Sequence, residues 1–395
     1  MIYLDHHATT PCDPRVVEAM LPYLTQHFGN PHSDSHEAGR EARRAIDQSL
    51  DSMAAILNAP RESMVVTSGA TESINLALRG FLMHPRCKRH QVVLCETEHP
   101  AVLEVADDLS KQATASGQPI EIIRVGVHPH DHPSAGQVDV DQLRAVVNEQ
   151  TAVVSIMWAN NEIGSIAPIQ SLAEITHEAG AVLHCDATQA VGRLPVDVRA
   201  TDVDLLTASA HKFYGPKSTG FLVVGNGNRR LRLRPQIVGG GQQRGLRGGT
   251  LNPATIVAMA TAMRIANDDL ESDTSRILEL REMLWNRLHS ALDGLQLNGT
   301  SWREDSSARL PGNLNVRLRD IEGEAWMAAT PDVAFSSGSA CSSTEALPSH
   351  VLLAMGLTES EARRSVRFGI GRFNTVDEIH AAADQLIASH QKLVG

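Results

Sequence analysis

Residues 181–225 read AVLHCDATQAVGRLPVDVRATDVDLLTASAHKFYGPKSTGFLVVG. The stretch contains three short apolar runs, 181–187, 203–209 and 220–225, separated by polar and glycine-rich segments. Runs of this length without alternating polar positions suit strands buried on both faces. Outward from here the same texture recurs at 64–68, 92–95, 120–127 and 152–159. Helical patterns lie between the runs: TESINLALRGF follows Gly69, and SLAEITHEAG offers Ser171 as an N-cap and Gly180 as a stop. Such alternation demands crossover connections and predicts an α/β fold, with a large, mostly parallel sheet flanked by helices. Beyond about residue 255 long helical patterns precede a shorter mixed region, which predicts a second, smaller α+β unit.

The chain has 395 residues, 42% of them hydrophobic and 21% charged, with a formal net charge of −11. It is long enough for a large core. The acidic balance argues against nucleic acid or an anionic membrane as partner. Five cysteines, at 12, 87, 95, 185 and 341, form no CxxC pair, which excludes a disulfide scaffold and fits a reducing compartment. The opening residues lack a basic and apolar leader pattern, and no apolar run approaches the roughly 18 residues of a membrane span; a cytoplasmic protein is expected. His128, His130 and His132 alternate within HPHDHPSAG without a strand pattern or an HExxH motif, so a solvated loop and no intrinsic metal site are expected.

In an open parallel sheet, ligands bind beyond the carboxyl ends of the strands. The run 64–68 leads through SGATES into a helix, whose N-terminal N–H groups suit a phosphate. His99 follows 92–95, Asp186 and Gln189 follow or end 181–187, and His211 and Lys212 follow 203–209. Taken singly, each has an ordinary explanation: Ser68 or Thr71 as an N-cap, His99 as a packed residue, Lys212 as a surface lysine with a snorkelling stem. Together a phosphate cradle, an acid, an amine and an imidazole make the set that pyridoxal phosphate needs. A nucleotide site is disfavoured, because Pro216 interrupts the Gly-Lys-Ser/Thr order in GPKST and no GxGxxG follows the first strands. Cys341, within the Ser- and Gly-rich segment 334–350, reads either as a nucleophile or as a free surface thiol.

The strings YLDHHATTPCDPRV, FGNPHS, TSGATES, TEHPAV, NNEIG, DATQAVG, SAHKFYGPKSTG, GGGQQRGLRGGT, SSGSACSS and SVRFGIGRF run in order from residue 3 to about 373. By them the chain resembles the cysteine desulfurases, in the group with the longer SSGSAC loop typified by the NifS and IscS enzymes. The resemblance implies a fold-type I, class V aminotransferase-like homodimer carrying pyridoxal 5′-phosphate. It implies a large domain over 12–255, and a small domain from 1–11 and 256–395 that carries the cysteine loop. Lys212 is implied as the Schiff-base lysine, Asp186 as partner of the ring nitrogen, Gln189 as donor to the phenolic oxygen, and His99 as a stacking acid–base group. Ala70, Thr71, Ser209 and His211 would hold the phosphate with Thr250 of the partner subunit, while Asn161 and Arg367 would bind the substrate carboxylate. L-cysteine would become L-alanine, its sulfur taken by Cys341 as a persulfide for a sulfur acceptor, either an iron–sulfur scaffold or a thiolation enzyme. Contact with an iron–sulfur cluster is expected only in passing. A selenocysteine lyase or aminotransferase on the same fold, and a non-catalytic paralogue, stand as alternatives. Two departures are visible: His6-His7 follows Asp5, where Asn or an aromatic is expected, and the sequence stops at Gly395 where relatives continue into a scaffold-docking tail.

Overall fold

A computed structural model describes residues 1–115, 119–229, 231–303, 305–337 and 347–395. Its strands in chain order are β1 (Ile2–Tyr3), β2 (Met64–Thr67), β3 (Gln91–Cys95), β4 (Glu121–Val125), β5 (Thr151–Ser155), β6 (Val182–Asp186), β7 (Leu205–Ser209), β8 (Gly220–Val224), β9 (Gln296–Leu297), β10 (Asn313–Arg317), β11 (Val333–Ala334) and β12 (Ser365–Gly369). Seven of them form one sheet in the order β2-β8-β7-β6-β5-β3-β4. Only β8 runs against its neighbours, so β2 to β7 all point the same way. The expected mostly parallel sheet is therefore present, and its strands end on a common edge.

Successive residues of the central strands bury into opposite cores. Val66, Leu183, Cys185, Leu206, Ala208 and Phe221 pack with the helices Glu37–Ile56 and Pro253–Asp268 on one face. Val65, Val182, Leu205 and Leu222 pack with the helices Ala70–Leu82 and Pro100–Ala115 on the other. Two buried faces explain the unbroken apolar runs. Edge strand β4 departs from this, with Glu121 and Arg124 exposed. Several runs are longer in the sequence than in the sheet: β5 stops at Ser155, and Ile156 to Ala159 stay buried while leaving the ladder.

A second core gathers Leu284, Leu288, Leu314, Val316, Trp326, Phe335, Phe368 and Leu386 around the antiparallel sheet β12-β10-β9. The N-terminal strand β1 pairs with β11, and Leu4 joins this second core. Helix Pro253–Asp268 buries Ile256, Met259 and Met263 in the first core, so residue 256 falls within an element packed on the large sheet.

Two capping expectations are corrected. Ser171 lies inside helix Ile169–Glu178, whose N-cap is Pro168 with no side-chain hydrogen bond, since the proline sets the entry one turn earlier. Neither Ser68 nor Thr71 caps helix Ala70–Leu82; its N-cap is Gly69, again without a side-chain bond. Gly180 does follow the helix end in the left-handed region at φ 71°.

Candidate active site

The strand ends open onto a cavity of about 490 Å³ lined by Ser68, Gly69, Ala70, Thr71, His99, Asn161, Asp186, Gln189, Ser209, His211 and Lys212, among others. The topology accounts for this convergence, because β2, β3, β6 and β7 deliver their next residues to one edge. Lys212 closes the short turn Ala210–Lys212 after β7, and its Nζ donates to the carbonyl oxygens of His7 at 2.6 Å and Ala8 at 2.7 Å. Burial first, then the positive charges of Arg193 and Arg367, lower its pKa to about 7, against the pull of Asp186 and Asp5. A lysine in this state offers a neutral amine near neutral pH.

Asp186 is the last residue of β6, and its Oδ1 accepts the N–H of Thr188 at 3.0 Å. His99 heads helix Pro100–Ala115, and its Nδ1 accepts the N–H of Ala101 at 3.1 Å. Burial lowers the His99 pKa, with Asp186 opposing, so the ring is neutral near pH 7 and carries its proton on Nε2. On the opposite wall, Gly69 sits at φ 151° and ψ −178°, a backbone conformation open essentially to glycine. It starts helix Ala70–Leu82 with its first N–H groups uncapped, beside the Ser209 hydroxyl, which donates to Thr219 O at 3.4 Å. A Cβ on neighbouring Gly220 would lie 2.6 Å from Gly69 Cα, so both glycines are needed for this close approach. His211 meets Thr9 Oγ1 through Nδ1 at 3.0 Å, and burial lowers its pKa to about 4.

Arg367, on β12, is buried and bridges the two cores. Its guanidinium donates to Asn161 O at 2.9 Å and to Asp5 Oδ1 at 2.8 Å, while its Nε is buried without a partner. Asn161 lines the cavity. Thr250 is exposed and lies outside the cavity lining of this chain. Cys341 lies outside the described residues.

Three site residues escaped the sequence reading. His7 and Arg193 both hold Gln189: its Oε1 faces His7 Nδ1 at 3.1 Å and accepts from Arg193 Nη1 at 2.5 Å, and its Nε2 donates to His7 O at 2.9 Å. Glu98, which precedes His99 in the chain and is fully buried, accepts the Met157 N–H through Oε1 at 2.5 Å, and burial raises its pKa well above the usual carboxylate range. The spacing of Gln189 and Arg193, four residues apart beyond a strand end, was the available signal for one of them.

The aminotransferase class-V family model matches residues 2–382. The chain belongs to this family. A cysteine desulfurase IscS of Anaeromyxobacter sp. (strain Fw109-5) is 44% identical over 392 residues, spanning 99% of this chain and 93% of that protein. A solved NifS-like protein is 31% identical with a TM-score of 0.87, covering 99% of each chain. The structure of SspA in complex with cysteine is 28% identical with a TM-score of 0.78, covering 95% of this chain and all of that one. Class-V aminotransferases of this kind depend on pyridoxal phosphate, and the residues present fit that group. An uncapped helix start suits the phosphate, a strand-end carboxylate the ring nitrogen, and a lysine with a depressed pKa the aldehyde. Thr188 Oγ1, on the same lining, is a buried hydroxyl without a protein partner. Among the described residues no helix is long and apolar enough to cross a membrane.

Proposed function

We propose that this class-V aminotransferase is a pyridoxal-phosphate-dependent cysteine desulfurase that converts L-cysteine to L-alanine and carries the released sulfur as a persulfide on Cys341. The observation that carries the reading is the convergence of Lys212, Asp186, Gln189, His99 and the uncapped Gly69 helix start on one cavity. When bound, pyridoxal phosphate supplies an electron sink for bond breaking next to the substrate α-carbon. Asp186 would keep the ring nitrogen protonated, Gln189 would donate an N–H to the phenolic oxygen, and His99 would cover the ring. Ala70, Thr71, Ser209 and His211 would hold the phosphate, with Thr250 of the partner subunit completing the cradle. Asn161, on the cavity lining, and Arg367, whose guanidinium donates to the Asn161 carbonyl, receive the substrate carboxylate.

Lys212, about half of it neutral at pH 7, takes the α-proton at Nζ. The Cys341 thiolate then attacks the substrate sulfur: an S–S bond forms, the C–S bond breaks with its electron pair left on the β-carbon, and protonation of that carbon, with return of the α-proton from Lys212 Nζ to the α-carbon, yields alanine. L-cysteine and one enzyme thiol thus become L-alanine and one persulfide. Burial raises the thiol pKa of each of the four described cysteines, Cys12, Cys87, Cys95 and Cys185, so none of these four is poised as a thiolate.

The enzyme acts in the cytoplasm as a homodimer, consistent with the exposed apolar Ile237 and Val238 on the segment leading to Thr250. It hands sulfur to an iron–sulfur scaffold or a thiolation enzyme. The test is incubation with L-cysteine under a reductant, measuring alanine and sulfide and mapping the added sulfur by mass. Cys341→Ser should retain the visible cofactor band and release no sulfide. Turnover by that variant, or sulfur mapped to another residue, overturns the persulfide role.

A further inference from the structure

We infer that His7, acting with Arg193, is a positioning residue that fixes the Gln189 amide so that its N–H, and not its carbonyl, faces the cofactor's phenolic oxygen. The inference rests on the pyridoxal phosphate reading of the site given above.

The hydrogen-bond pattern admits one assignment. Arg193 has only donors, so the Gln189 atom against its Nη1 must be the carbonyl Oε1. The His7 carbonyl has only lone pairs, so the amide atom 2.9 Å from it must be Nε2. The His7 ring meets that same Oε1 through Nδ1 at 3.1 Å, and two acceptors cannot share a hydrogen bond, so Nδ1 carries the proton. Burial, together with the positive charges of Arg193, Arg367 and Lys212, holds the His7 pKa well below the ordinary histidine range despite the Gln189 bond, so the ring is neutral. A neutral ring has one N–H, which leaves Nε2 a bare acceptor, and Nε2 is indeed buried without a partner.

One N–H of Gln189 Nε2 is thus spent on His7 O, and the other is left for the cavity that Gln189 lines. Arg193 is itself held, through Nη2 on His6 O at 2.8 Å, and Lys212 Nζ shares the His7 carbonyl at 2.6 Å. The His6-His7 dipeptide therefore links the amine and the amide of the site by its backbone. The His7 ring adds the second anchor on Oε1.

A donor held on the phenolic oxygen favours its anionic form. The proton shared between that oxygen and Lys212 Nζ in the loaded enzyme should therefore leave at a lower pH than when the donor is loose. The experiment is a pH titration of the visible band of the loaded enzyme for wild type, His7→Leu, His7→Asn and Gln189→Leu. Leu keeps bulk and backbone but has no donor, whereas Asn puts an amide near the place of Nδ1. His7→Leu and Gln189→Leu should raise the apparent pKa of the band by about one unit, a tenfold change in the proton equilibrium, and His7→Asn should leave it near the wild-type value. A Gln189→Leu shift with none in His7→Leu overturns the inference. No shift in Gln189→Leu overturns the underlying reading of Gln189 instead. If His7→Leu does not fold, His7→Ala is titrated with the same two outcomes.

Discussion

The depressed pKa of Lys212 makes cofactor loading a measurable function of pH. Only the neutral amine adds to an aldehyde. With a pKa of about 7, about half of Lys212 is neutral at pH 7, against roughly three parts in ten thousand for a lysine at its ordinary value. The neutral share is about 9% at pH 6 and about 91% at pH 8, so the loading rate should climb roughly tenfold between those values and then level off. The assay adds pyridoxal phosphate to cofactor-free protein and follows the first-order growth of the visible band from pH 5.5 to 9.5. Lys212→Met should show no such band. A rate that still rises about tenfold between pH 8 and pH 9 would mean that burial and the cations Arg193 and Arg367 do not perturb this lysine, and the account of its activation would fall.

The same shift has a cost in stability. Moving the pKa from 10.5 to about 7 corresponds to on the order of 5 kcal/mol. The penalty is full below pH 7, where the native state holds a buried ammonium, and it fades as pH rises towards 10.5. Cofactor-free Lys212→Met should therefore melt above wild type at pH 6, with a difference that shrinks by pH 9.5; equal melting at both values would refute this. Glu98 is raised, which for an acid reverses the sign: no penalty below pH 4.5, and a growing one as pH rises towards its native value. Glu98→Gln should gain stability relative to wild type between pH 4.5 and 7.5 in urea unfolding, and a loss on that path would contradict a protonated carboxyl. Gly69→Ala must adopt φ near 151°, at a cost of about 1–3 kcal/mol, and should also weaken cofactor binding at least about tenfold; unchanged affinity would remove Gly69 from the phosphate cradle.

What could be read in the sequence, and what could not, divides along a physical line. The sheet was legible because burial on both faces leaves a local mark, an unbroken apolar run, and because parallel strands force their loops to one edge. Asp186, His99 and Lys212 each stand at or just beyond such a run, so locating the strands located them. His7 carries no such mark, since it belongs to the N-terminal segment. It reaches the site only because β1 is captured by β11 and the chain from Leu4 onward crosses from the second core to the large sheet. Arg193 was hidden differently. An arginine four residues beyond Gln189 has the composition of a solvated turn, yet it is half-buried against the His6 carbonyl and its pKa is lowered to about 10. A buried guanidinium is tolerated when its donors are matched by acceptors, and those acceptors come from residues 6 and 189, which only the folded chain brings together. The same dependence explains why Arg193 should not be treated as a spare charge. Removing it would free Gln189 Oε1 and strip the largest positive neighbour from Lys212, changing the orientation of the amide and the pKa of the amine at once.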